Sequence, residues 1–103
     1  MLTITVRDDF SESRDFYDGL KKEYSGAIET IIGREGAIGP DVVISMFSGV
    51  GNVFSGVSEV ITKIGEYKKG VRFEVQKDGV TVSGRVGSPE ELEAYLIKIK
   101  NLL

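Results

Sequence analysis

The feature that most constrains the fold is a run of 17 residues without a charge, from Val42 to Ser58. Because 28% of this 103-residue chain is charged, such a run must lie largely in the interior. It is shorter than the ~20 apolar residues that span a bilayer, and four serines and three glycines make it a poor lipid-embedded helix. We predict that it is the buried spine of one domain covering residues 1–103, and we do not expect membrane association.

The spine supports two interpretations. Its apolar residues are spaced alternately four and three positions apart, which predicts one long central helix over about 41–68, bent near Gly49. Three glycines and a β-branched stretch favour instead a strand over Val42–Phe47, a turn over Ser48–Gly51 and a helix from Asn52. We take the continuous helix as the prediction and keep the second parse as the alternative.

The residues before the spine predict a strand, a helix and a second strand. Leu2–Val6 alternates apolar and polar residues, Phe10–Tyr24 has helical periodicity, and Ala27–Ile32 is an apolar, β-branched stretch. Gly33–Gly39 is glycine-rich, but Pro40 follows it where a phosphate-binding loop needs Lys and Ser or Thr. We therefore predict a plain connecting loop there. Asp9 with Glu12 predicts a capping box for the helix.

A hairpin is predicted after the spine, because valines and a phenylalanine alternate with polar residues on both sides of Asp78-Gly79. Asp-Gly suits a two-residue type I′ turn, in which both central residues have positive φ. That turn fixes the register of the two strands. The predicted cross-strand pairs are Val75 with Val82, Phe73 with Gly84, Val71 with Val86, and Arg72 with Arg85.

The last element is predicted to be a helix that begins after Ser88. Ser88 is a suitable cap, Pro89 occupies the first helical position, and Glu91 completes a capping box. The predicted buried face comprises Leu92, Tyr95, Leu96, Ile99 and Leu102. Taken together, the elements predict a two-layer α+β domain of order β-α-β-α-β-β-α, with three helices on a four-stranded, mainly antiparallel sheet.

Composition argues against a catalytic centre. The chain has no cysteine and no histidine, which removes thiolate chemistry, cysteine-containing zinc sites and imidazole acid–base catalysis. An acidic cluster around the first helix start fits the helix dipole and lacks the spacing of a calcium loop. Its members are Asp8, Asp9, Glu12, Asp15 and Asp18. We predict a non-enzymatic protein with no catalytic residue, cofactor or metal.

The charge balance also bears on partners and location. Thirteen basic and sixteen acidic residues give a net charge of −3, so we do not expect nucleic-acid binding. The first residues lack the pattern of a secretory leader, and we therefore expect a cytoplasmic protein.

The predicted interaction surface combines a small-residue face of the spine with a basic patch at its end. On one continuous helix the small residues would share a face, and such faces allow close approach of another element. The small-residue face comprises Ser45, Ser48, Gly49, Asn52, Ser55 and Gly56. The basic patch comprises Lys63, Lys68 and Lys69, with Arg72 beside them. We expect a protein partner or a second copy of the chain there.

One resemblance rests on three motifs: Gly39-Pro40-Asp41 leading into the spine as far as Lys68, the hairpin segment 71–82, and the helix start 88–92. In this order they resemble the effector-associated constant component domains of bacterial conflict systems, over roughly the last two thirds of the chain. Where such domains often carry a tryptophan near the end of the spine, this chain has Tyr67. The resemblance implies a non-catalytic adaptor that couples an effector to its partners, and it implies no catalytic residue.

Two other classes of function stay open on the sequence alone. One is a small enzyme or ligand-binding domain that uses carboxylates and the hydroxyls of Ser or Tyr. The other is a membrane-surface protein that uses the spine.

Overall fold

A five-stranded antiparallel sheet carries three helices on one of its faces. The structure is a computed structural model that describes residues 1–36, 39–47 and 52–103. Its strands are Leu2–Val6 (β1), Ile28–Gly36 (β2), Gly39–Met46 (β3), Val71–Lys77 (β4) and Val80–Val86 (β5). Its helices are Arg14–Glu23 (α1), Val53–Tyr67 (α2) and Pro89–Leu102 (α3). The strand order is β2-β3-β1-β4-β5.

The predicted α+β class, the three helices and the antiparallel sheet are confirmed, whereas the four strands, the order β-α-β-α-β-β-α and the central helix over 41–68 are wrong. The spine divides into β3 and α2, as the alternative parse required. Val42 and Ile44 pair with Val6 and Ile4 of β1, so pairing with a strand distant in sequence overrides the helical spacing. Asn52 caps α2, because its side chain accepts a hydrogen bond from the Ser55 backbone N–H at 3.1 Å.

The connection between β3 and α2 lies partly outside the described residues. Two predictions concern that undescribed part, the turn over Ser48–Gly51 in the alternative parse and the bend near Gly49.

The predicted loop over Gly33–Gly39 is also wrong, because β2 and β3 form an antiparallel pair that extends to Gly36 opposite Gly39. The second strand thus runs over Ile28–Gly36 instead of ending at Ile32. Residues 37 and 38 lie outside the described part of the chain. Glycine is needed at position 33, since a Cβ there would lie 2.4 Å from Cβ of Phe10.

The first helix is shorter than predicted, and the capping box expected from Asp9 and Glu12 is not formed. Asp9 Oδ1 instead accepts a hydrogen bond from the Ser11 backbone N–H at 2.9 Å, which closes a local turn before the helix. Ser13 is the N-cap, and its side chain makes no capping hydrogen bond. Helix α1 therefore begins at Arg14, four residues later than the periodicity predicted.

The hairpin is confirmed in register and turn. All four predicted cross-strand pairs are present between β4 and β5. Asp78 and Gly79 have φ angles of 52° and 82°, as a type I′ turn requires. The agreement reflects how local the signal is, because a two-residue turn and period-two alternation fix the register without help from the rest of the chain.

The start of α3 is confirmed, with one change in its cap. Ser88 Oγ accepts a hydrogen bond from the Glu91 backbone N–H at 3.2 Å, and Glu91 Oε1 accepts one from the Gly87 backbone N–H at 3.0 Å. In a standard capping box the glutamate would bond the N–H of Ser88. Tyr95 and Ile99 are buried, as predicted.

We expect Ser88→Ala to lower the free energy of unfolding by about 1 kcal/mol, because one orphan N–H of α3 loses its acceptor. Urea unfolding followed by circular dichroism measures the change. Ser25→Ala is the matched control, because Ser25 is exposed in a turn after α1. Equal stabilities for the two variants would contradict the capping role.

The core lies between the sheet and the helical layer. One face of the sheet supplies Leu2, Ile4 and Val6 from β1 and their neighbours on β3 and β4, and all three helices pack onto it. The first six elements follow the β-α-β-β-α-β order of the split βαβ arrangement, and β5 with α3 extends it. This one-sided packing leaves the second face of the sheet open among the described elements.

Candidate functional site on the open face of the sheet

The open face of the sheet presents polar side chains on rigid strands. Because side chains alternate across a strand, the residues between the buried positions of β1 point away from the helices. Thr3 and Thr5 of β1 lie opposite Ser45 and Val43 of β3 on this face. No described element packs on it, so its side chains are available to a partner.

Four of the five arginines of the chain lie in one row across this face. We call them the arginine row; its members are Arg34 on β2, Arg7 directly after β1, Arg72 on β4 and Arg85 on β5. The register places them side by side, because Arg34 pairs with Asp41 and Arg72 pairs with Arg85. The Arg7 backbone N–H donates to the Arg72 carbonyl at 3.0 Å, which joins the two halves of the row.

Asp41 lies between Arg34 and Arg7 in the row and forms ion pairs with both. Asp41 Oδ1 lies 3.2 Å from Nε of Arg7, and Oδ2 lies 4.0 Å from Nε of Arg34. The residue is only 9% exposed, and Oδ1 accepts no hydrogen bond from the described residues. Gly36 makes room for the carboxylate, since a Cβ there would lie 2.7 Å from Oδ2. The aspartate therefore orients two guanidinium groups and partly neutralises them.

The other two arginines are less compensated. Arg85 donates from Nε to the Gly70 carbonyl at 3.2 Å, a contact that positions the guanidinium without neutralising its charge. The exposed Arg72 side chain forms no hydrogen bond or ion pair with any described residue. Glu74, two residues further along β4, supplies the nearest carboxylate in sequence on the same face. This end of the face thus carries four arginines against two carboxylates in a chain whose net charge is −3.

A shallow cleft of about 240 Å³ lies within the row. Its polar lining includes three arginines, two carboxylates and two hydroxyls: Arg7, Arg34, Arg72, Asp41, Glu74, Thr5 and Ser83. Guanidinium groups bind carboxylates through paired N–H donors, and hydroxyls add adaptable donors. The strand positions that neighbour the row carry no Phe or Tyr among the described residues, so the row lacks the stacking platform of single-strand nucleic-acid binders. Phe47, which alternation along β3 also places towards this face, is 41% exposed and lies six residues from Asp41.

A second polar cluster is buried beside α1 and serves the fold. Asp8 is 6% exposed and accepts hydrogen bonds from Tyr17 Oη at 2.8 Å, Lys68 Nζ at 2.6 Å and the Asp9 N–H at 2.8 Å. Burial raises the pKa of Asp8, but these three hydrogen bonds outweigh burial, and the net pKa is lowered. Burial and the hydrogen bond to Asp8 raise the pKa of Tyr17, so its hydroxyl stays protonated.

The same cluster ties the end of α2 to the start of α1. Tyr67 stacks on Phe16 with ring centroids 3.9 Å apart, and its hydroxyl donates to Ser13 Oγ at 3.3 Å. Every polar group of the cluster is thus used internally, which makes it a clamp between two helices and a poor binding site.

The predicted small-residue face is not assembled on one element, because the helix on which it depended is wrong. Ser45 lies on the open face of β3, Asn52 caps α2, and Ser55 is exposed on the first turn of α2. Gly56 packs inward, where its Cβ position is 3.3 Å from Ala27 Cβ. Ser48 and Gly49 lie outside the described residues.

The lysines of the predicted basic patch point to different places. Lys63 lies 3.9 Å from Glu23 at the end of α1, and Lys68 contacts Asp8 in front of α1. Lys69 is exposed beside a cleft between α2 and α3. Arg72 faces the open side of the sheet instead. The role of these residues in partner binding stays a prediction.

Among the described residues, no group of three or more carboxylates is arranged to hold a metal, and the acidic cluster around the first helix start forms no such group. Of the described helices, none has the length and apolar character needed to cross a bilayer.

Sequence reasoning found half of the arginine row. The pairing of Arg72 with Arg85 followed from the hairpin register. The alternation of Thr3, Thr5 and Arg7 in the sequence places Arg7 on the same side as the two threonines, but it does not predict which strands lie beside it. Arg34 falls within the loop predicted over Gly33–Gly39, so the sequence does not place it on a strand.

No protein-family model, curated protein or solved structure matches the chain.

Proposed function

We propose that this chain is a non-catalytic interaction domain whose open sheet face binds an acidic, extended segment of a partner protein. The observation that carries the proposal is the arginine row on a sheet face that no described element covers. Arginine is the side chain best suited to carboxylate recognition, and here four of them are held on paired strands. Rigid strands fix the positions of the guanidinium groups better than loops would.

The dimensions of the row fit a short peptide. Neighbouring strands are ~4.8 Å apart, so five strands place the outer arginines about 19 Å from each other. An extended peptide advances ~3.4 Å per residue, and about six residues cover that distance. Acidic side chains at alternate positions would then face the row, and the intervening side chains would point away from the sheet.

The resemblance to effector-associated constant component domains supports an effector protein as the source of the acidic segment. On this proposal the chain is an adaptor in a bacterial conflict or signalling system, and its contribution is recognition. The absence of aromatic side chains beside the row, among the described residues, favours a peptide over a single-stranded nucleic acid.

Binding of a fluorescein-labelled Glu-Ser-Glu-Ser-Glu-Ser-Glu peptide, followed by fluorescence anisotropy, tests this proposal. We expect Arg72→Gln and Arg34→Gln each to weaken binding by about five- to tenfold, since each removes a charge-assisted contact. Higher salt should weaken binding further, because the contacts are solvent-exposed. Lys98→Gln, a charge loss on the exposed surface of α3, should leave the affinity unchanged.

Two outcomes would overturn the proposal. One is equal affinity of the arginine variants and the Lys98 variant, which would place binding elsewhere or make it a non-specific charge effect. The other is tighter binding of a labelled single-stranded heptanucleotide than of the peptide, which would change the class of partner. A peptide in which all glutamates are replaced by glutamine measures the background.

A further inference from the structure

A second exposed surface lies on the helical layer, along the flank of α3 that faces α2. Ile97 is 56% exposed there, and Leu96 is half-buried beside it. Together with Phe54 of α2 and Pro89, these side chains line a shallow groove of about 370 Å³. Apolar side chains grouped at a surface in this way mark contact sites more often than isolated ones do.

Two opposite charges border the apolar centre of this flank. Glu93 lies three residues before Leu96, and Lys100 lies four residues after it, and both line the groove. Positions three and four apart share one side of a helix, so the three residues form a single stripe. Both charged side chains are exposed, and neither forms an ion pair with a described residue.

This stripe is complementary to itself when two copies meet antiparallel. A twofold axis near Leu96 brings the Leu96 and Ile97 side chains of the two copies together. The same axis sets Glu93 of each copy opposite Lys100 of the other, because the two charges lie nearly equal distances from the centre. An isologous contact of this kind pairs the charges at both ends of the stripe with opposite charges of the other copy.

We propose that the α3 flank, comprising Phe54, Pro89, Glu93, Leu96, Ile97 and Lys100, is the contact of a homodimer. The occupant of the groove is a second copy of this chain, and charge complementarity about the axis selects it. The contact is one helix flank wide, which places it at the small, reversible end of protein interfaces.

This inference is independent of the arginine row. The α3 flank belongs to the helical layer, whereas the row lies on the opposite face of the sheet. A dimer built through α3 leaves both rows free, and two linked rows would bind a partner with two acidic segments more tightly than one. Either surface can therefore fail its test without affecting the other.

A charge swap tests the twofold contact by sedimentation velocity at protein concentrations up to about 1 mM, where weak dimers form. Glu93→Lys and Lys100→Glu should each weaken dimerisation by tenfold or more, about 1.4 kcal/mol, because each places like charges together at both ends of the contact. The double variant should restore dimerisation to within about threefold of the natural chain.

The controls for this test are charge reversals at exposed positions away from the stripe. Asp18→Lys on α1 and Lys98→Glu on another side of α3 change the net charge by the same amounts and should leave dimerisation unchanged. A chain that is monomeric at every concentration overturns the proposal. So does a double variant that stays as weak as the single ones. Thermal melting checks that every variant is folded.

A cross-linking experiment gives a second readout that does not depend on charge. The chain has no cysteine, so a single introduced thiol can form only an intermolecular disulfide. Leu96→Cys lies nearest the proposed axis and should cross-link rapidly under mild oxidation, whereas the exposed Ala94→Cys, on another side of α3, should not. Equal rates for the two variants would count against the twofold contact.

Discussion

We expect Asp8→Ala to lower the free energy of unfolding by about 3 kcal/mol. The buried carboxylate accepts three hydrogen bonds, and its loss leaves the buried Tyr17 hydroxyl without an acceptor. It also removes the carboxylate that joins Lys68, directly after α2, to Tyr17 of α1, and leaves the Tyr67 contacts as the link between the two helices. Urea unfolding followed by circular dichroism gives the change in free energy directly.

Two variants show whether the effect belongs to the cluster. Asp18→Ala removes an exposed carboxylate of α1 and should change stability by no more than about 0.5 kcal/mol. Lys68→Met should cost less than Asp8→Ala, because the Lys68 side chain is 38% exposed and Asp8 would keep two of its donors. A loss below about 1 kcal/mol for Asp8→Ala would show that the buried carboxylate is not a clamp.

The same cluster predicts a pH dependence of stability. The pKa of Asp8 is lower in the folded chain than its ordinary value of 3.8. The carboxylate therefore stabilises the fold fully above that ordinary value, and this stabilisation is lost as the pH falls through the folded pKa. The stability difference between the natural chain and Asp8→Asn should be constant from about pH 5 to neutral pH and should shrink in stronger acid. A difference that grows on acidification would contradict the assignment.

Gly84→Ala is the other substitution with a large expected effect, a loss of about 3 kcal/mol. A Cβ at position 84 would lie 2.3 Å from Cδ1 of Tyr95, and both atoms belong to rigid groups. The Tyr95 ring is 3% exposed, and its hydroxyl donates to the Val82 carbonyl at 2.8 Å, so it cannot move aside without losing that bond. Thermal and urea unfolding both report the loss.

A matched control and a rescue make this prediction specific. Gly26→Ala should be close to neutral, because nothing lies within 4 Å of its Cβ position. Tyr95→Leu alone should destabilise the protein, since it removes a packed ring and a hydrogen bond. In the Tyr95→Leu background, however, Gly84→Ala should cost much less than in the natural chain, as expected for residues in contact. Additive losses would contradict the steric explanation.

The sequence predicted the parts of the fold that local signals determine. Asp78-Gly79 and the alternating valines specify a hairpin on their own, and Ser88 with Pro89 specifies a helix start. The prediction of one long helix over the spine was wrong, because a strand followed by a helix happens to place Val43 and the later apolar residues at helical spacing. The strand conformation of residues 42–46 depends on pairing with Leu2–Val6, some 40 residues earlier, and period alone does not report such pairing.

In the candidate site, too, only the contacts that local signals determine were predictable from the sequence. Arg72 and Arg85 meet through a local register, which the sequence provides. Their proximity to Arg7 and Arg34 depends on the strand order β2-β3-β1-β4-β5, which no local pattern encodes. The predicted small-residue face failed to assemble for the converse reason, since it needed one helix where the chain forms two elements.

The central position of β1 has a consequence for synthesis. It pairs with Gly39–Met46 on one side and Val71–Lys77 on the other, both of which follow it along the chain. At typical translation rates of ~5–20 residues per second, β1 waits about 2 to 8 seconds for its first neighbour and a similar time again for its second. Until β3 has been synthesised, Leu2, Ile4 and Val6 therefore have no neighbouring strand to pair with, and β4 completes the sheet around β1 only afterwards.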